Sequence, residues 1–214
     1  MGVILQRQCI SGRLNVWELD GSEWMVFEKT GFPAEEKERI LLIRDTLKRQ
    51  QKIAVRMLLD HMLPGSLIGY DSFSKPYLPG SAYGISISHS GNKVAVMVGE
   101  STDPGVDIER IDPKIERIAH KFMSAEELLR LTPAHRTEEL YVHWAAKEAL
   151  YKVYGKKQLH FNRDIIISPF AYEAHRGGSL LGRVNEGGQW KCYELCYEKT
   201  GAYMLVYKSN WVSC

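Results

Sequence analysis

Between Ile85 and Gly99 the chain has essentially one way to fold. Ile85, Ile87 and His89 alternate with Ser86, Ser88 and Ser90. Gly91-Asn92 follows, and Lys93-Val94-Ala95-Val96-Met97-Val98-Gly99 returns. Successive side chains of a strand point to opposite faces, and Gly and Asn tolerate the backbone angles of a tight turn. The pattern therefore predicts an antiparallel hairpin.

The flanks set the fold class. Upstream, Val3 to Gln8 and Arg13 to Leu19 read as short strands. Phe32-Pro33-Ala34-Glu35-Glu36 reads as a helix start, with Pro in the first turn and acids behind it. The helical pattern runs toward Leu63 with a break near Asp45. Ile40, Leu41, Ile43, Leu47, Ile53, Val55, Met57, Leu58 and Met62 form its apolar side, and Pro64-Gly65 ends it. Ser72 to Gly80 is a loop. Downstream, Pro104-Gly105 punctuates and Val106 to Ile111 reads as a strand. Ser124-Ala125-Glu126-Glu127 is a capping-box pattern. Thr132-Pro133 opens a longer helix that Gly155 stops near Tyr154. From Leu159 the chain reads as β-structure, with Trp190–Tyr197 and Ala202–Lys208 pairing around Thr200-Gly201. The order is strands, helix, strands, then strand, helices, strands. It predicts an α+β fold of two similar halves, 1–103 and 104–214, meeting near Asp103-Pro104-Gly105.

Composition narrows the function classes. The 214 residues are 44% apolar and 25% charged, as in ordinary soluble domains with a real core. A net charge of +2 and the lack of an aromatic stacking motif argue against a nucleic-acid binder. No run is apolar enough to span a membrane, and MGVILQRQ carries no cleavable-signal pattern. Gln6 stands where N-myristoylation needs Ser or Thr. Cys9, Cys192, Cys196 and Cys214 form no CxxC pair and read as free thiols in a reducing cytoplasm.

Four constellations carry chemistry. Asp107 and Glu109, two apart on a strand, project together and suit a hard cation such as Mg²⁺; a solvated edge strand shows the same alternation. Trp144, Glu148 and Lys152, spaced by four, line one helix face. That row could complete a metal–phosphate site or be a surface ion pair. Ser88-His89-Ser90 lies at the hairpin end behind Lys75-Pro76, where hydroxyl, imidazole and ammonium groups can hold phosphate. Arg44, Lys48, Arg49, Lys52 and Arg56 form a basic stretch that suits an anionic phosphate or a solvated face.

Together, in this order, these pieces resemble the surfactin-synthetase-activating type of 4′-phosphopantetheinyl transferase. The family's G-[IV]-D-[IVL]-E and W-x-x-K-E-[AS]-x-x-K patterns are complete as Gly105-Val106-Asp107-Ile108-Glu109 and Trp144-x-x-Lys147-Glu148-Ala149-x-x-Lys152. Lys121-Phe122-Met123-Ser124-x-x-Glu127 resembles the family's Phe-Ser-x-x-Glu helix start. One departure is Ser74-Lys75-Pro76, where the family often has Gly-Lys-Pro. The chain length is similar to that of the longer members. The resemblance implies two α/β subdomains in an intramolecular pseudodimer, each a small, mostly antiparallel sheet on a long helix. It implies Mg²⁺ held by Asp107, Glu109 and Glu148. Glu148, or a nearby water, would take the acceptor proton; Lys152 and His89 complete the catalytic set. Coenzyme A phosphates would meet Lys75, Ser88, His89 and Lys152, with Lys48, Arg49 or Arg56 at the 3′-phosphate. The acceptor would be an apo acyl or peptidyl carrier protein, served by a cytoplasmic monomer. A Mg²⁺-dependent phosphohydrolase and an inactive coenzyme-binding module are the competing readings.

Overall fold

The computed structural model describes residues 2–100, 103–156 and 158–212, with the backbone alone at 211. The elements follow in chain order. β1 (Val3–Cys9), β2 (Gly12–Glu18), α1 (Glu23–Glu28), α2 (Ala34–Leu41) and α3 (Thr46–Met62) come first. The short strands β3 (Gly69–Tyr70) and β4 (Pro76–Tyr77) precede the hairpin β5 (Tyr83–Ser90) and β6 (Lys93–Glu100). Then come β7 (Val106–Arg110), α4 (Ala119–Phe122), α5 (Ala125–Leu129), α6 (Arg136–Tyr154) and α7 (Phe161–Asp164). The chain ends in β8 (Ile165–Ile167), β9 (Gly178–Glu186), β10 (Gln189–Thr200) and β11 (Tyr203–Val212).

The fold is mixed α+β. Two antiparallel sheets have the orders β1-β2-β6-β5 and β7-β11-β10-β9-β8, and β3 and β4 form a separate two-stranded ribbon. The expected hairpin is present, pairing Ile85 with Val98 and Ser90 with Lys93 around Gly91. The helix break near Asp45 is a cap: the Asp45 carboxylate accepts from the Lys48 N–H at 3.0 Å and starts α3. At Ser124 both bonds of the capping box form. Thr132-Pro133 leads first into a 3₁₀ turn, Pro133–His135, and α6 starts at Arg136. Gly155, at φ 69°, closes α6 in the left-handed conformation that glycine adopts without a Cβ clash.

Helix α1 had no sequence signal. Its Ser22 cap makes no side-chain cap bond. Glu23 folds back instead and accepts from the N–H groups of Asp20 (2.8 Å) and Gly21 (3.1 Å).

Packing explains why Val94 to Gly99 is almost all apolar. Val94, Val96 and Val98 face α3, packing with Ala54, Leu58 and Leu59. Ala95 and Met97 face the other way, against Val106, Ile108, Leu205 and Tyr207 of the second sheet. A strand buried on both sides loses the polar alternation of a half-exposed one. On the far side, Leu140, Ala145, Ala149 and Leu150 of α6 pack on Ile165, Leu195 and Val206. Full burial of one such aliphatic side chain is worth about 1.5–3 kcal/mol. Among the described residues no helix is long and apolar enough to cross a membrane.

The cysteine expectation needs one correction. Cys9 and Cys196 are free thiols, but Cys192 is in a disulfide; Cys214 lies outside the described residues. In the register of β10 and β11 Cys192 lies opposite Val212, whereas sequence reasoning weighed only its spacing from Cys196.

Candidate active site at the seam of the two sheets

Strand β7 is the edge of the second sheet, paired with β11 on one side only. Its other edge meets the serine face of β5. Ser86, Ser88 and Ser90 accept from the backbone N–H groups of Val106 (3.1 Å), Ile108 (3.2 Å) and Arg110 (3.1 Å). Hydroxyls thus satisfy an edge that a further strand would otherwise have to cover.

Helix α6 lies against the same strand. Gly105 permits the approach: a Cβ there would sit 2.5 Å from both the Ala149 carbonyl oxygen and Val153 Cγ2. Lys152 Nζ donates to the Val106 carbonyl (2.9 Å) and to Asp107 Oδ1 (2.8 Å). Trp144 Nε1 donates to Glu109 Oε1 at 3.1 Å, while its ring edge meets Phe122. The expected row of Trp144, Glu148 and Lys152 therefore faces the expected carboxylates of β7.

These carboxylates are electrostatically coupled. Burial, then the charge of Asp107, pushes the Glu148 carboxyl up to about 7; Lys152 opposes this and Glu109 adds to it. Burial and Asp107 likewise raise Glu109, against hydrogen bonds from Trp144 and Ser90. Asp107 is 3% exposed. Its Oδ1 accepts from Ser88 Oγ (2.7 Å) as well as Lys152, and its Oδ2 is buried without a hydrogen-bond partner.

Among the described residues no three His, Cys, Asp or Glu side chains already converge as a metal cage. The donor set nonetheless fits a hard cation. Three carboxylates share one region, one buried oxygen has lone pairs and no donor, and burial followed by the Asp107 charge raises Glu148, a cost that a bound cation would relieve.

Lys152 links this cluster to a cleft of about 360 Å³, whose walls include Tyr70, Phe73, Lys75, His89, Tyr151 and Lys156. A second cleft of about 410 Å³ adjoins it at Tyr70, Ile87 and His89, and adds Lys48 and Lys52. His89 stands at the junction. Displacement of water by the surrounding protein holds its pKa below the usual imidazole value; Lys152 adds to the effect and Asp107 opposes it. Lys75 Nζ bonds Asp103 Oδ1 (2.8 Å) and the Val153 carbonyl (3.3 Å). Ser74 beside it adopts φ 68°, a left-handed conformation that glycine takes more readily.

Of the sequence-derived contacts, Lys75, His89 and Lys152 share the first cleft, and Lys48 lines the second. Ser88 lines neither; its hydroxyl is engaged with Asp107 and Ile108. Arg49 lines neither and donates to the Ile43 carbonyl at 3.2 Å. Arg56 is sunk under Phe32, with its guanidinium 3.9 Å from the ring centre and 2.9 Å from Glu36. Sequence reasoning placed Lys52 in the basic stretch but left it out of the 3′-phosphate set of Lys48, Arg49 and Arg56, and it named neither Tyr70 nor Lys156. Lys52 had a signal, since it lies four residues from both Lys48 and Arg56. It donates to the Tyr70 hydroxyl at 2.7 Å.

Lys147 has a different task from its neighbour Glu148. It is fully buried and bonds Glu127 Oε2 (2.8 Å) and the Phe161 carbonyl (3.0 Å). Glu127 also accepts from the N–H groups of Ser124 and Ile167. Burial alone would raise the Glu127 carboxyl, but His143, Lys147 and these donors hold it at about 2.

Comparison with known proteins adds a second kind of finding. Residues 103–196 match the family model described as the 4'-phosphopantetheinyl transferase superfamily. A 4'-phosphopantetheinyl transferase of Bacillus subtilis is 34% identical over 146 residues, 66% of this chain and 62% of that protein. The 4'-phosphopantetheinyl transferase psf-1 of Bacillus pumilus is 40% identical over 78 residues, 35% of this chain and 33% of that protein. The 4'-phosphopantetheinyl transferase AcpT of Escherichia coli (strain K12) is 30% identical over 115 residues, 50% of this chain and 59% of that protein. The chain thus spans less than two thirds of the length of each of these relatives.

Proposed function

We propose that this chain, which belongs to the 4′-phosphopantetheinyl transferase superfamily, moves the 4′-phosphopantetheine group of coenzyme A onto a serine of an apo acyl or peptidyl carrier protein. The observation that carries this reading is Lys152, which joins the cluster of Asp107, Glu109 and Glu148 to a cleft lined by Lys75 and His89. A pyrophosphate in that cleft would lie between cations and carboxylates.

Asp107, Glu109 and Glu148 would hold Mg²⁺, which when bound offsets charge on the coenzyme's pyrophosphate. Lys152, Lys75 and His89 bind the phosphate oxygens and orient them for attack. The carrier serine oxygen bonds to the β-phosphorus, the bridging P–O bond breaks, and 3′,5′-ADP leaves. Glu148, or a water held beside it, takes the serine proton. On α3, Lys52 and Lys48 are the cations placed to meet the 3′-phosphate, in preference to Arg49 and Arg56. The reading carries with it a cytoplasmic monomer whose halves, 1–103 and 104–214, form an intramolecular pseudodimer.

The test is intact-mass analysis of apo carrier proteins incubated with this chain, coenzyme A and Mg²⁺. A gain of one phosphopantetheine that EDTA abolishes is the expected result. No gain on fatty-acid, polyketide or peptidyl carriers, from protein shown to be folded, would overturn the reading.

A further inference from the structure

The three serines of β5 do not do the same work. Ser86, Ser88 and Ser90 each accept one backbone N–H of β7. Only two of them also turn their hydroxyl hydrogen onto a carboxylate. Ser88 donates to Asp107 Oδ1 at 2.7 Å, and Ser90 donates to Glu109 Oε2 at 2.9 Å.

The geometry of these bonds is selective. Ser88 and Lys152 both hold Oδ1 of Asp107, so Oδ2 is left as the oxygen without a donor. Glu109 is held from both sides, by Ser90 on Oε2 and Trp144 on Oε1. Each carboxylate is therefore fixed about its side-chain torsions by one donor from β5 and one from α6. The β5 donor is itself locked, because its oxygen accepts a backbone N–H and cannot rotate away.

We infer that Ser88 and Ser90 are positioning residues that orient Asp107 and Glu109 toward a divalent cation, while Ser86 serves the seam and the wall of the first cleft. The inference rests on the proposed Mg²⁺ site and goes beyond it. It moves Ser88 from the phosphate-binding set to the support of the carboxylates. It also explains why Ser88 and Ser90 are both serines. A hydroxyl accepts from an N–H and donates to a carboxylate at once, which neither an aliphatic side chain nor a carboxylate can do. Outer partners of metal-ligating groups typically change metal affinity by about 10–100-fold when removed.

The experiment measures Mn²⁺ binding to the full-length chain by electron paramagnetic resonance, beside thermal melting, for the parent, S86A, S88A, S90A and S90T. S86A should melt lower yet keep its Mn²⁺ affinity within about twofold. S88A and S90A should weaken Mn²⁺ by about tenfold or more. S90T, which retains a hydroxyl, should bind nearer to the parent than to S90A. If S88A does not fold, S90A at its half-buried position carries the test. Equal Mn²⁺ affinities for S86A and S90A would overturn the inference, and so would a parent that binds no Mn²⁺. Carrier modification is scored separately. A parent that modifies carriers while S90A binds Mn²⁺ normally removes only the positioning role. The expected Mn²⁺ ranking in a chain that modifies no carrier removes only the transfer reading.

Discussion

Each of the two long helices packs on a sheet, but the rows they present differ in chemistry. On α3, Lys48, Lys52 and Arg56 repeat every four residues; on α6, the same spacing gives Trp144, Glu148 and Lys152. The α3 row grades from solvent into the interior. Lys48 is exposed, Lys52 reaches Tyr70, and Arg56 is locked by Glu36 and Phe32. The α6 row instead lies against β7 and ends on its carboxylates. The strands at the seam differ likewise, β5 offering hydroxyls and β7 offering acids. Lys48, Lys52, Lys75 and His89 come from one layer, and the carboxylates with Lys152 come from the other, so neither layer carries the proposed chemistry alone.

That comparison can be broken at its strongest point first. Asp107→Ala or Glu148→Ala should lower the rate of carrier modification by roughly 10³-fold, the upper end for loss of a group that stabilises developing charge. Melting temperature should be nearly unchanged, and parent-like turnover in either variant would end the carboxylate assignment. The neighbouring ion pair should behave in the opposite way. Glu127→Ala strands the buried Lys147 ammonium and should cost about 3–5 kcal/mol in chemical denaturation. A loss confined to activity would show that this pair is not structural.

The cationic layer should respond more mildly. Lys52→Ala should raise the KM for coenzyme A by about tenfold, as expected for one charge-assisted hydrogen bond, and spare dephospho-coenzyme A. Arg56→Ala should act mainly on stability. The reverse pattern would return the phosphate contact to Arg56.

Glu148 makes the site sensitive to pH. Its carboxyl titrates near 7 in the folded chain against 4.5 for the free side chain. Between those values the folded state holds a proton that the unfolded state has released. Stability in EDTA should therefore fall as pH rises from about 4.5 to about 7, and Glu148→Gln should flatten that slope to what the raised Glu109 contributes. Mg²⁺ competes with the same proton, so its affinity should rise from pH 6 to pH 8 by titration calorimetry. The smallest effect belongs to Ser74→Gly, which should stabilise the loop by up to about 1 kcal/mol by relieving a left-handed residue.

Local rules made much of this legible from the amino-acid order. Alternation revealed the β5–β6 hairpin, and Ser124 announced a helix start through a side-chain cap that needs no distant partner; at Asp45 the sequence showed only a break, which the structure turns into the cap of α3. Period-two and period-four spacing put Asp107 with Glu109 and Glu148 with Lys152, because backbone geometry alone determines which neighbours share a face. Three features were decided only by tertiary structure. Ser88 looked like a phosphate contact until β7 came to lie beside it. Arg49 and Arg56 looked equivalent to Lys52 until packing sank one arginine and turned the other away. Lys147 and Glu148 are adjacent in the motif, yet a helix turns about 100° per residue, so one enters the core and the other the seam. Spacing states which side chains travel together. What they meet depends on contacts between residues far apart in the chain, and no local pattern encodes those.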